Sequence, residues 1–290
     1  MKTKFILIFL LIFTFLLSSC DIQMNDGELY PDHQELLTDE FDFNNSDMRI
    51  SFEEAGLKNL FIRDVSASVL VEEKLYGQVF LLGDDRFGSD RFVADHYLVL
   101  VTVDKVFVKD LGGPAYSGKI ELCDFDGDGD SEILLHETTS ITGGAGGYYS
   151  AVFDFNDGEF IKLFASPESK HFDTGFEIEI LENNEFLIKN RFTQYSEAFV
   201  LNDRSEDYYK KWWYDENGVP INDRELWVDS FLKFKPVDID NDGVYEIQTR
   251  QYTSLIGHSD FIGEAISILK YNNKVKAFEV IEAEFIPDNN

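Results

Sequence analysis

Positive charge is scarce in this chain. Twenty-five Lys and Arg residues stand against 55 Asp and Glu, for a formal charge of −30 over 290 residues. Such a surface repels phosphates, which excludes nucleic acid as a partner, and it opposes lying flat on anionic lipid. Cysteine is nearly absent, Cys20 and Cys123 being the only two. A disulfide framework is therefore excluded, and a core, with any bound metal, must hold the fold. Histidine is sparse too. His136 and His258 stand in no His-Glu-x-x-His pairing, which argues against zinc. No Gly-x-Ser-x-Gly elbow occurs. The glycine-rich run at 143–147 lacks the Lys-Ser/Thr that a phosphate loop needs, and reads as a connection between strands. Long apolar runs are also missing, since the longest, at residues 5–17, falls short of the ~20 residues of a spanning helix. Hydrophobic residues nonetheless make up 44% and aromatics 15%, enough for a sizeable core and far from the disordered class.

That apolar run follows Lys2 and Lys4 and leads into Leu17-Ser18-Ser19-Cys20. The order of positive, apolar and small residues is that of an export signal. The last four residues resemble a bacterial lipobox. The resemblance implies cleavage before Cys20, a diacylglycerol on its sulfur, and a protein anchored by lipid at the extracytoplasmic face of a bacterial membrane. The domain reading is a signal peptide at 1–19, the lipidated cysteine and an acidic tether at 20–48, and a β-repeat domain at 49–290. With Cys20 acylated, Cys123 is expected as a buried free thiol.

Two acidic loops carry the chemistry. One runs Asp124, Phe125, Asp126, Gly127, Asp128, Gly129, Asp130, Ser131, Glu132, and the other Asp238, Ile239, Asp240, Asn241, Asp242, Gly243, Val244, Tyr245, Glu246. Carboxylates at positions 1, 3, 5 and 9, with glycine at 6, suit a hard divalent cation that takes six to eight oxygens in a loose geometry. Position 7, Asp130 or Val244, would offer its backbone carbonyl, so a valine is tolerated there. An EF-hand needs a chelating Glu at position 12, where this chain has Leu135 and Thr249. The flanking segments alternate apolar and polar residues at period two, so each loop is expected between strands.

The two nine-residue motifs resemble the calcium loops of FG-GAP and VCBS-type repeats, although the Phe-Gly and Gly-Ala-Pro signatures of the first are not evident here. The resemblance implies two Ca2+ sites, with Asp124, Asp126, Asp128, Glu132, Asp238, Asp240, Asp242 and Glu246 as side-chain ligands. It also implies a β-propeller setting.

Similarity between the two regions extends past the loops. Thr139-Ser140-Ile141 follows the first and Thr253-Ser254-Leu255 the second at the same offset, and the copies lie 114 residues apart. Period-two alternation marks strands at 65–71, 78–82, 97–103, 105–109, 151–155, 176–181, 185–189, 198–201, 265–269 and 274–282. Asp157-Gly158, Asn183-Asn184, Asn217-Gly218 and Asn272-Asn273 are turn material. Short helices are expected at 51–59 and 206–211. The expected fold is mainly β, a small propeller-like array of antiparallel sheets with one sheet between the two motif copies and one or two before them. A β-sandwich is the alternative.

Other constellations carry less. Asp84, Asp85 and Asp90 around Arg86 match no metal template. Tyr208, Tyr209, Trp212, Trp213 and Tyr214 could stack on a sugar or anchor a partner, but alternate members entering the core is the plainer reading. The functional expectation is a lipid-anchored protein whose calcium is structural and whose exposed face binds a glycan or protein ligand without catalysis. The alternative is an extracellular hydrolase acting on envelope or extracellular polymers.

Overall fold

Residues 60–66, 70–72, 75–84, 92–102, 105–139, 147–166, 172–182, 185–200, 206–221, 226–255 and 260–288 are described by a computed structural model. The expected signal peptide, Cys20, the expected tether, the helix expected at 51–59, Asp85, Arg86, Asp90, residues 143–146, the turn expected at Asn183-Asn184 and His258 lie outside the described residues. Contacts divide the chain into Met1–Arg49 and Ile50–Asn290, and every described residue belongs to the second unit.

The described residues are mainly β and form four antiparallel sheets. Sheet one holds β1 (Leu60–Val65), β2 (Leu70–Glu72), β3 (Leu75–Asp84), β4 (His96–Thr102) and β5 (Val106–Asp110), in the order β1-β3-β4-β5 with β2 also paired to β3. Sheet two is the meander β6 (Ala115–Cys123), β7 (Glu132–Thr139), β8 (Tyr148–Asn156) and β9 (Glu159–Ser166). Sheet three contains β10 (Phe176–Ile180), β11 (Glu185–Asn190) and β12 (Ser196–Val200), after which comes helix α1 (Glu206–Trp212). Sheet four is a second meander, β13 (Trp227–Val237), β14 (Glu246–Ser254), β15 (Phe261–Asn272) and β16 (Ala277–Pro287). One sheet thus precedes the motif-bearing pair and one lies between its members, as the repeat spacing predicts. The strand expected at 65–71 is instead split, with β1 ending at Val65 and β2 starting at Leu70.

The sheets share cores, and the sharing does not follow chain order. Val79, Leu81, Leu98 and Leu100 of sheet one pack on Ile133, Leu135, Ala151 and Phe153 of sheet two. The opposite face of sheet two, through Leu134, Val152 and Phe164, meets Phe231, Phe234, Ile247, Leu269 and Phe278 of sheet four. Sheet three joins the far half of sheet four through Phe176, Phe186, Ile188, Ala265 and Phe285, with Trp213 in the same core.

Sheet two is covered on both faces, so Ile133, Leu134 and Leu135 are consecutive buried residues rather than an alternating pattern. Among the described residues, sheet four is covered on one face only. There Ile247, Thr249, Gln251 and Thr253 are buried, while Gln248, Arg250 and Tyr252 look outward. Most of its buried polar groups are satisfied, as burial requires, Ser267 Oγ being an exception. Gln251 donates through Nε2 to the Asp229 carbonyl at 2.7 Å and accepts from Thr174 Oγ1 at 2.8 Å, which ties the approach to β10 into sheet four.

Polar contacts also join sheets one and two. Arg63 Nη1 lies 2.6 Å from Glu137 Oε1, both side chains being buried, and His96 Nε2 lies 2.8 Å from Glu137 Oε2. Asp64 Oδ2 accepts the N–H of Ile120 at 2.7 Å, which caps a backbone donor on the free edge of β6.

Candidate metal centres

The acidic loops are the connections β6–β7 and β13–β14. The flanking strands close on equivalent pairs, Cys123 with Glu132 and Val237 with Glu246, so each turn contains the same eight residues between them. The backbones also follow one path. Position 6 has φ of 95° at Gly129 and 89° at Gly243, and position 4 has 78° at Gly127 and 58° at Asn241. Glycine and asparagine are the residues that take this left-handed region at least cost.

The same side-chain caps recur. Asp124 Oδ2 accepts the N–H of Gly129 at 3.0 Å, and Asp238 Oδ2 that of Gly243 at 3.1 Å. Asp128 Oδ1 takes the N–H of Asp130 at 2.9 Å, and Asp242 Oδ1 that of Val244 at 2.8 Å. These bonds pull the first and fifth residues inward. In each loop three carboxylates, Asp124, Asp126 and Asp128 or Asp238, Asp240 and Asp242, place oxygens within 4.8 Å of one another. That spacing suits a shared cation.

Glu132 and Glu246 lie outside those triads and bind the loop backbone. Glu132 Oε2 accepts the N–H of Phe125 at 2.6 Å, and Glu246 Oε2 that of Ile239 at 3.4 Å. Both are buried, but among the described residues only Glu246 has a cationic partner, Lys270, whose Nζ bonds Oε1. Burial pushes Glu132 up to about 8, with Asp126, Asp124 and Asp128 adding to the rise. Asp126 is raised as well, by burial and then by Asp128. Asp154 on β8 is raised by burial, with Asp128 and Asp130 contributing, so the acidic field extends beyond the motif.

The loops meet each other. Tyr245 donates its N–H to the Asp124 carbonyl at 2.7 Å. Asn273, in the turn between β15 and β16, donates through Nδ2 to the Asp126 carbonyl at 2.5 Å. Sequence reasoning gave no role to Lys270, Tyr245 and Asn273, because the pairing of β14 with β15 brings Lys270 to Glu246, and the packing of sheet two on sheet four brings Tyr245 and Asn273 to the first loop.

The remaining residues singled out from sequence have structural roles. Asp84 is buried, and its Oδ1 accepts the N–H of Ala94 at 2.9 Å. Cys123 is a half-buried free thiol pushed up to about 12 by burial and by Glu121 and Glu132, which makes it a poor nucleophile. His136 stacks on Tyr148, contacts Ser150 through Nδ1 at 2.9 Å, and is held down to about 4 by burial. Within the aromatic cluster Trp213 is a core residue, and the Tyr214 hydroxyl donates to the Leu181 carbonyl at 2.7 Å.

Residues 174–286 match the model of a family described as the YybI C-terminal domain. Among curated proteins, the chain is similar to the uncharacterized protein YybI of Bacillus subtilis, at 26% identity over 170 residues. The match covers 55% of this chain and 59% of that protein, so it spans well under two thirds of the relative's length. Among solved structures there is a loose likeness to MPT-1, a GDP-Man-dependent mannosyltransferase from Leishmania mexicana. Its TM-score is 0.27 at 9% identity, over 82% of this chain and 76% of that one, and so weak a superposition carries no argument. Neither protein similarity bears on lipid attachment or on calcium.

Proposed function

We infer that this chain is a lipid-anchored protein of the extracytoplasmic face of a bacterial membrane, carrying two structural calcium ions and an exposed face that binds a glycan or protein ligand without catalysis. The observation that carries the calcium part is the repetition of one loop geometry at two places. Eight residues take the same path between equivalent strand ends, and in each a triad of aspartates converges within 4.8 Å. Asp124, Asp126, Asp128 and Glu132 would hold one ion, with the carbonyl of Asp130. Asp238, Asp240, Asp242 and Glu246 would hold the other, with the carbonyl of Val244. The anchor rests on the Cys20 lipobox, and the acidic tether suits a body that anionic lipid repels.

A structural role fits the magnitudes. With a Kd of ~10⁻⁴ M and ~1 mM calcium outside the cell, each ion adds about 1.4 kcal/mol, and two add about 3 kcal/mol. Removing calcium with a chelator should therefore lower the melting temperature by roughly 6–12 °C. An unchanged Tm contradicts the calcium reading. Mass spectrometry of the membrane-extracted protein tests the anchor, and a mature amino terminus other than diacylated Cys20 overturns it.

The hydrolase alternative gains no support from the depression lined by Tyr149, Lys162, Leu163, Phe164 and Ala165, which offers no carboxylate for acid–base chemistry.

A further inference from the structure

Each contact between the loops joins parts that would hold different ions. Tyr245, whose N–H binds the Asp124 carbonyl, sits between Val244 and Glu246, the last two ligating positions of the second loop. Asp124 is the first side-chain ligand of the other. Val244 also lies over Gly127, where a Cβ would come within 3.3 Å of Val244 Cγ2. The Asn273 turn supplies a third tie, its Nδ2 donating to the Asp126 carbonyl.

One observation independent of the aspartate triads points to a cation. Glu132 is 2% exposed and accepts one hydrogen bond, on Oε2. That single bond is its one partner among the described residues, and it closes the loop in which Asp124, Asp126 and Asp128 converge. A largely buried carboxylate beside other anions keeps its charge most readily with a cation nearby.

Resting on the calcium reading, we propose that the two loops bind calcium as one positively coupled unit. An ion in the first loop fixes Asp124, whose carbonyl holds Tyr245 and through it the Val244 carbonyl and the Glu246 carboxylate. The second ion then meets ligands already in place, so less of its binding energy goes into ordering them. Repulsion between the ions does not cancel this. Asp124, Asp126, Asp128, Asp130, Glu132, Asp238, Asp240, Asp242 and Glu246 give nine carboxylates against the four positive charges of two ions.

Calorimetric titration of the full chain with calcium chloride provides the test, using Asp128→Asn to weaken the first loop and Asp240→Asn the second. Both side chains are exposed, and the substitutions are isosteric. Wild type should bind two ions. Weakening either loop should lower the affinity of the other by at least about fivefold, and by the same factor in both directions because equilibrium coupling is reciprocal. If two ions bind but the untouched loop keeps its affinity, or loses it in one variant only, the coupling is overturned while the calcium reading stands. If wild type takes up no ion, the calcium reading fails and the coupling with it. Should circular dichroism show that a variant has not folded, the wild-type isotherm decides. A Hill coefficient above 1 supports coupling, and one at or below 1 overturns it.

Discussion

The two acidic loops share a backbone and differ in everything that surrounds it. Position 2 of the first is Phe125, 1% exposed and packed edge-on against Phe278 at 5.8 Å, whereas position 2 of the second is Ile239, 45% exposed. The first loop is therefore pinned into the core shared by sheets two and four, while the second relies on the half-buried Tyr245 next to its closing glutamate. The glutamates differ in the opposite sense. Among the described residues Glu132 has no cationic partner, whereas Glu246 has Lys270. One motif is thus used twice, once as part of the interior and once as a surface turn with its own counter-ion. Sequence similarity fixes the shape of such a loop but not its electrostatic state.

The largest test of this difference truncates position 2 in each loop. Phe125→Ala should cost about 3–5 kcal/mol, the usual range for a buried aromatic. Ile239→Ala should stay within about 0.5 kcal/mol, as exposed substitutions do. Urea unfolding in the presence of chelator separates these costs from ion binding. Equal losses in the two variants would mean that Phe125 does not anchor its loop.

Next in size is a pH effect at the equivalent strand position beyond each loop, His136 in sheet two and Arg250 in sheet four. His136 is covered because both faces of its sheet are packed, and burial holds its pKa near 4 against an ordinary 6.5. Arg250 faces outward and pairs with Glu264 at 3.3 Å. Because the folded pKa of His136 lies below the unfolded one, the unfolded chain binds more protons between those values. The stability His136 confers is present in full above about pH 6.5 and is lost as pH falls toward 4, a change on the order of 3 kcal/mol. Subtracting the pH profile of His136→Gln from that of wild type should isolate this slope. Arg250→Ala should shift stability by less than about 1 kcal/mol at any pH, the usual value for an exposed pair. A flat difference profile for His136 would contradict its burial in neutral form.

Much of this architecture was legible from local pattern. Period-two alternation located most strands, and the turn at Asp157-Gly158 forms with Asp157 at φ 52°, the left-handed value that hairpin chemistry demands. The loops were legible because all the positions expected to hold an ion fall within nine residues. β9 was missed because Glu159–Ser166 breaks strict alternation where its partner strand shifts register between Val152 and Phe153. Lys270 and Asn273 escaped for a different reason. Each reaches its acidic partner only through sheet pairing or sheet packing, across 24 residues for Glu246 and 147 for Asp126. No local signal encodes such a meeting, nor does one encode the joining of sheet two to sheet four before sheet three.

The smallest effect would make the second loop resemble the first. Lys270 is 40% exposed, and its pKa is raised chiefly by the bond to Glu246, so on the calcium reading it would compete with an arriving cation for that carboxylate. Lys270→Met keeps the aliphatic stem and removes the charge. Without calcium, Glu246 is then left buried with one backbone donor, the condition of Glu132, and the Tm should fall by a few degrees. With calcium the ion replaces the ammonium, so most of that loss should be recovered. Removing a charge worth ~1 kcal/mol near the surface should also strengthen the second site by about threefold to tenfold. Calorimetry of the variant beside wild type measures both changes. A weaker second site in Lys270→Met would show that the lysine organises Glu246 for the ion rather than competing with it, and the asymmetry between the loops would then have to be read the other way.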